Sequence, residues 1–362
     1  MRAAVCREFG KPFVIEDLSL APPQRGEVRC AVKAVAICHS DITVAEGGWG
    51  GSLPAVYGHE AAGVVLETGP MVHGLKPGDR VVITMVRHCG QCPCCHRGLH
   101  GACETHFPLD GASPILEADG TQVTQGLRTG AFAEEVVVEA SQLVKIEEDV
   151  GYDIASLLAC GVITGWGAVA NTAKLAAGGD VAVIGTGGVG LNAVQACRMA
   201  GARTVIGIDL DEEKLEAART FGATHTVNGR EEDAVESVHR ITETRGLDHV
   251  FVTVGAPQAF DQSYRMLGPG GVTVLVGVAA NGAQSTFDPV TLTSYAQQIL
   301  GSKLAADVQR DIPALVRHWR EGRLKLEELV TRRFAFEDIN EAMAAAKRGE
   351  GIRNVVMIGD AS

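Results

Sequence analysis

Cys89, Cys92, Cys95 and Cys103 stand in the spacing C-x2-C-x2-C-x7-C, short enough for one loop to wrap a tetrahedral ion with a thiolate at every corner. An ion enclosed in that way holds structure and takes no reactant. Cys94 leaves open which thiols ligate, because it adjoins Cys95 and could replace it, and His88, His96 and His100 crowd the same stretch. Cys38, His59 and Cys160 form a second set of metal-binding residue types, but they lie so far apart in sequence that only a fold could bring them together. Taken singly, Cys160 within Ala159-Cys160-Gly161 also reads as core packing, and His59 before Glu60 as a satisfied histidine.

Gly185-Thr186-Gly187-Gly188-Val189-Gly190 fits G-x-G-x-x-G, between a short apolar strand over 181–184 and a helix expected over about 189–200. In that context Gly185 permits the turn, Gly187 lets backbone amides approach a pyrophosphate, and Gly190 lets helix and strand pack closely. The helix N-terminus, around Gly188 and Val189, then faces the anion. Asp209 ends the next strand 19 positions after Gly190, where a carboxylate accepts from ribose hydroxyls and repels a 2′-phosphate, so NAD is expected rather than NADP. The competing reading is a plain tight turn with Asp209 capping the next helix. Lys214 suits the adenosine ribose or a solvated helix face equally well.

The elements that must position these residues fall into two textures. Before about residue 150, half-buried alternation over 27–36 and similar runs over 61–66, 80–84 and 135–138, separated by turns such as Pro77-Gly78-Asp79, predict a mostly β domain. The cysteine cluster sits in one of its loops. The Gly-, Pro- and polar-rich segment 106–130 is expected to be a long surface excursion. After Asp180, strands over 181–184, 204–208, 224–227, 250–254 and 272–276 alternate with helices over about 189–200, 212–221 and from 231, which predicts a doubly wound parallel sheet. Helices over 312–321 and 336–348 and a strand over 354–358 close the chain, the strand returning to the first domain.

The chain has 362 residues, enough for two domains with full cores. Its 44 acidic against 32 basic side chains give a formal charge of -12, which repels nucleic acid and anionic lipid. No basic-then-apolar start and no stretch of about eighteen apolar residues is present, so a cytoplasmic protein is expected, without membrane or nucleic-acid partners. In that reducing compartment the ten cysteines read as metal ligands before disulfides.

Cys38-His39-Ser40-Asp41, Gly58-His59-Glu60, the four-cysteine lobe, Cys160-Gly161-Val162-Ile163-Thr164-Gly165, the glycine fingerprint with Asp209, and Ile352-Arg353 together resemble the zinc-dependent medium-chain alcohol dehydrogenases over the whole chain. The resemblance implies an α/β protein with a GroES-like catalytic domain over 1–161 and 303–362, its structural zinc lobe at about 86–107, and a Rossmann NAD-binding domain over 162–302. It implies two zinc ions per subunit. Cys38, His59 and Cys160 would hold the catalytic one, Glu60 would stand behind the metal as an occasional or indirect ligand, and Asp41 would orient His59. Ser40 would accept the alcohol's proton, His39 and Arg353 would contact the pyrophosphate, and Thr164 and Val278 the nicotinamide end. The implied chemistry is hydride transfer to NAD. Hydride leaves an alkoxide far more readily than a neutral alcohol, and lowering a bound oxygen's pKa from about 16 toward about 7 is worth on the order of 12 kcal/mol.

Among the classes of that family, Asn171-Thr172-Ala173-Lys174-Leu175 and the run from Phe221 to Asn228 resemble class III, the thiol-linked formaldehyde dehydrogenases. Three positions depart from the pattern. Thr43 replaces a histidine that relays the proton in several members, Gly47-Gly48-Trp49-Gly50-Gly51 replaces an acidic pair, and a substrate-anchoring arginine aligns near Val123, with Arg128 close by. Trp49, Met85 and Leu127 would line an apolar pocket. The expected activity is therefore oxidation of primary aliphatic or aromatic alcohols to aldehydes, and the reverse. S-(hydroxymethyl)glutathione dehydrogenase and polyol dehydrogenase are the alternatives. Family members are homodimers or homotetramers.

Overall fold

In the ten-residue strand Glu27–Ala36, buried small and apolar side chains alternate with half-exposed ones until Lys33, and the end that runs on toward Cys38 is buried throughout. That strand is the centre of a seven-stranded sheet in the computed structural model, which describes residues 1–304 and 307–359. Glu60–Thr68, Glu135–Glu139 and Arg353–Met357 all pair antiparallel with it. The register sets the site: Glu60 lies opposite Ala36 on one side and Thr84 on the other. Ile37 donates its N–H to the Asn354 carbonyl at 2.9 Å. One end of the sheet therefore gathers Cys38, His59, Glu60, Thr84 and Arg353 from four stretches of chain.

Met1–Gly161 and Asp307–Ser362 form one compact unit, and Val162–Ala306 the other. The return to the first unit comes at Asp307 rather than at 303. Ser302 is still tied to the second unit, donating its N–H to Leu275 and pairing with the Thr172 hydroxyl at 2.9 Å. Residues 305, 306 and 360–362, which fall in the expected domain ranges, lie outside the described residues.

The second unit is a six-stranded parallel sheet in the order His225–Asn228, Thr204–Asp209, Asp180–Ile184, Leu247–Val252, Leu267–Leu275, Gln298–Gly301. Numbered along the chain this is 3-2-1-4-5-6, the Rossmann order, whose reversal point lies at the end of Asp180–Ile184. The protein thus combines a GroES-like, mostly β domain with a Rossmann domain. Among the described residues no helix is long and apolar enough to cross a membrane.

One expectation is corrected. The segment 106–130 is not a surface excursion: Ile115–Leu116 and Gln122–Gln125 join a second sheet of the first unit, and Ile115 and Val123 are buried in its core. Strands of two and four residues are too short to show a period among so many polar residues. The helix expected from 231 begins at Ala234, because the Asp233 carboxylate caps it by accepting the Val235 and Glu236 N–H groups.

Candidate active site

The four-cysteine lobe is closed. Cys89 and Cys95 sulfurs lie 4.0 Å apart and those of Cys92 and Cys103 3.9 Å. A tetrahedron with zinc–sulfur bonds of about 2.3 Å has edges of about 3.8 Å, so the four thiols stand where zinc would need them. Backbone N–H groups of Gln91 and Cys92 point at Cys89 Sγ, and that of Cys95 at Cys92 Sγ. The Thr105 hydroxyl and these amides bring the Cys89 thiol down to about 6. Burial and the crowding sulfurs push Cys95 up to about 12, as expected for thiolates that need a cation to ionise together. Cys94 is a bystander, its sulfur paired with Glu104 Oε1 at 3.2 Å and Arg97 Nη2 at 3.4 Å.

Ligand atoms of Cys38, His59, Glu60 and Cys160 lie within 4.8 Å of one another. Asp41, fully buried, accepts at Oδ1 from Gly58 N–H (3.1 Å) and at Oδ2 from Cys38 N–H (3.1 Å), and its Oδ1 lies 2.9 Å from His59 Nδ1. With Nδ1 engaged there, Nε2 is the ring nitrogen left for a metal. Burial works against a charged His59, but Asp41 and the Cys38 sulfur hold its pKa well above the ordinary value. A hydrogen bond from Cys160 holds the Cys38 thiol well below its own. Glu60 is also fully buried, and burial pushes its carboxyl up to about 8 against the pull of Arg353. Its Oε1 has no hydrogen-bond partner. Two thiols and an imidazole, with an orphaned carboxylate oxygen beside them, fit a zinc ion held by three ligands with one position open to a reactant. Asp41→Asn is expected to lower zinc affinity at this site by about 10–100-fold, read by competition with a chromophoric chelator.

Arg353, which the resemblance places at a pyrophosphate, is buried, and its guanidinium donates to Glu60 Oε2 at 2.5 Å and to the Ile37 carbonyl at 3.4 Å, a pairing not read from the sequence that gives the buried carboxyl a cation beside it. His39 is exposed and Ser40 half-buried at the start of the helix His39–Ala45. Thr43 donates its hydroxyl to the His39 carbonyl at 3.0 Å. Trp49 and Leu127 pack against the core of the first unit, and Met85 is half-buried just past the strand Arg80–Thr84.

In the second unit Gly185 has φ +89°, and a Cβ at Gly190 would stand 1.8 Å from the Gly185 carbonyl oxygen. A Cβ at Gly187 would meet nothing within 4 Å, which leaves the middle of the loop open for a phosphate. The helix Gly188–Met199 starts there. Asp209 anchors this loop, a role not read from the sequence. Oδ2 accepts the Thr186 N–H (2.7 Å) and hydroxyl (3.2 Å), and Oδ1 accepts the N–H groups of Leu210 (2.7 Å) and Asp211 (3.2 Å). The Thr186 hydroxyl can turn instead to the Lys214 carbonyl at 3.2 Å, which frees one acceptor site for a ribose hydroxyl. The Lys214 side chain is half-buried, Val278 is exposed and Thr164 is buried in the helix Gly161–Gly167.

A closed four-thiol lobe and an open Cys-His-Cys pocket in a GroES-like domain, joined to a Rossmann domain, define a zinc-binding oxidoreductase. The comparisons agree. Residues 24–148 match the family model described as alcohol dehydrogenase GroES-like domain, and residues 188–320 that described as zinc-binding dehydrogenase. Alcohol dehydrogenase class-3 of Cereibacter sphaeroides is 35% identical over 98% of this chain and 99% of its own length. S-(hydroxymethyl)glutathione dehydrogenase of Paracoccus denitrificans is 33% identical over 98% and 99%. The solved benzyl alcohol dehydrogenase of Acinetobacter calcoaceticus superposes with a TM-score of 0.92 at 30% identity, covering 99% of each chain. The chain belongs to the zinc-dependent medium-chain alcohol dehydrogenases, with class III character, and is an oxidoreductase acting on CH–OH donors.

Proposed function

We infer that the protein oxidises free primary alcohols, aliphatic or aromatic, to aldehydes with NAD as hydride acceptor, and runs the reaction in reverse. The choice of free alcohol over a glutathione adduct rests on Val123. Near where the resemblance aligns the class III anchoring arginine, this side chain is fully buried in a strand and presents no charge. The nearby Arg128 is engaged by Asp110 at 3.4 Å.

Cys38, His59 and Cys160 would hold the catalytic zinc, with Glu60 beside them, and that ion when bound supplies a Lewis acid for the alcohol oxygen. NAD supplies the hydride acceptor. The residues do the rest. Asp41 fixes the His59 ring, and Arg353 holds the Glu60 carboxyl group in place. Ser40 takes the alcohol proton and passes it to water, since the Thr43 hydroxyl is committed to His39. Trp49, Met85 and Leu127 bind the carbon chain. Thr164 and Val278 contact the nicotinamide end, and the amides after Gly187 bind the pyrophosphate.

Steady-state turnover with ethanol, benzyl alcohol and longer primary alcohols, against formaldehyde plus glutathione, tests the substrate. Efficient oxidation of the free alcohols is expected. Activity confined to the glutathione adduct, the substrate for which the Paracoccus denitrificans relative is named, would reverse the reading. Asp209→Asn should raise NADP use relative to NAD by at least about tenfold in kcat/KM, by removing a negative charge from the ribose site. We also infer a homodimer or homotetramer, because among the described residues the Gln298–Gly301 strand ends its sheet unpaired on one side and Phe287, Val290, Tyr295 and Ile299 are exposed near it in sequence.

A further inference from the structure

Arg87 is the largest of the fully buried side chains among the described residues, and neither metal cluster includes it. Its guanidinium reaches three segments: Nε donates to Gln142 Oε1 at 2.8 Å, Nη1 to Asp110 Oδ1 at 3.0 Å, and Nη2 to the Arg128 carbonyl at 3.0 Å. Gln142 is fully buried too. Its Oε1 also accepts the Glu139 N–H at 3.2 Å, and its Nε2 donates to the carbonyls of Thr84 at 2.8 Å and Arg128 at 3.1 Å. Two buried donors therefore converge on one carbonyl.

That carbonyl belongs to a strained corner. Leu127 and Arg128 both lie in the left-handed region, with φ +50° and +63°, which consecutive non-glycine residues keep only where their surroundings over-determine it. The Gln142 amide also fixes where the corner stands. It joins Arg128 to Thr84, which pairs in register with Glu60 and donates its hydroxyl to the carbonyl of Ala159, the neighbour of Cys160, at 2.6 Å. A buried guanidinium is costly to desolvate, so one engaged at all three of its nitrogens marks a position where geometry outranks hydrophobic burial.

We propose that the buried Arg87–Gln142 pair determines substrate selectivity by clamping the Leu127–Arg128 backbone beside the Thr84–Glu60 end of the sheet, which fixes where the Leu127 side chain stands in the alcohol site. This rests on the inferred place of Leu127 in the pocket. Arg87 and Gln142 act as positioning residues and make no contact with the reacting atoms.

A double-mutant cycle on the full-length, zinc-loaded protein tests the clamp, reading the ratio of kcat/KM for benzyl alcohol to that for ethanol. Arg87→Met keeps the bulk of the side chain but removes all three hydrogen bonds, and Arg87→Lys keeps the charge but not the planar fork. Both are expected to change the ratio by roughly tenfold, with zinc content unchanged and kcat on ethanol within about threefold. In a Leu127→Ala background the same changes should leave the ratio alone. If Leu127→Ala by itself does not move the ratio, Leu127 lies outside the pocket and the proposal falls with that reading. If Leu127→Ala moves it but the Arg87 variants do not, or move it equally in both backgrounds, the pocket stands and the clamp is overturned. Should Arg87→Met fail to fold, Arg87→Lys and Gln142→Met carry the same readings.

Discussion

Replacing His59 by alanine is expected to lower kcat/KM for a primary alcohol by at least about 10⁴-fold and to reduce bound zinc by one ion per chain, while NAD affinity changes by less than about threefold. The ring is buried between Asp41, 2.9 Å from Nδ1, and the sulfurs of Cys38 and Cys160. Without it only two of the three direct ligands remain, the thiols of Cys38 and Cys160, with the Glu60 carboxyl held behind them by Arg353, too few to hold a divalent ion firmly. A factor of 10⁴ corresponds to about 5.5 kcal/mol, well under the roughly 12 kcal/mol by which a Lewis acid can stabilise the ionised alcohol, so the expected loss is a lower bound. NADH formation and metal analysis of the same sample check it. Turnover within tenfold of the parent protein would exclude this pocket as the reaction centre.

Cys95→Ser and Cys94→Ser, one residue apart, should behave in opposite ways. Cys95 is one corner of the four-thiol lobe, with its sulfur 4.0 Å from that of Cys89. Serine there leaves three thiols, and the lobe loses an ion whose binding in isolated zinc domains is worth about 10–16 kcal/mol. A fall in Tm of at least about 10 °C and loss of one zinc per chain are expected. The Cys94 sulfur faces Glu104 and Arg97 instead, so Cys94→Ser should keep both ions and stay within about 2 °C of the parent Tm. Metal analysis and thermal unfolding separate the two. Equal zinc loss in both variants would mean that the two thiols can exchange as ligands.

The glycine loop was the most legible part of the site, because a turn, a close approach and a helix start impose residue types at fixed offsets. The Cys89–Cys103 lobe was legible for the same reason, although spacing alone could not separate Cys95 from Cys94; their opposite facing within one helical turn decides it. Cys38, His59 and Cys160 were not legible as a group. Their meeting depends on the register of Glu27–Ala36 with Glu60–Thr68 and, for Cys160, on the Thr84 hydroxyl bonded to the Ala159 carbonyl, long-range properties that no local pattern encodes. The roles of the buried Arg353, Arg87 and Gln142 were hidden as well, since each satisfies groups distant in sequence, and so was the hold of the half-buried Asp209 on Thr186. The Arg353–Glu60 pair spans 293 positions. Polar residues of that kind look like surface until the fold encloses them.

Zinc content per chain, followed together with alcohol-dependent NADH formation while a chelator is added, bears most directly on the assignment of two zinc sites with different duties. Two ions per chain are expected at the start. NADH formation should disappear as the ion at the open Cys38–His59–Cys160 pocket leaves, with the lobe still loaded and the fold intact. Alcohol oxidation that persists when a single zinc remains in the four-cysteine lobe would contradict the assignment.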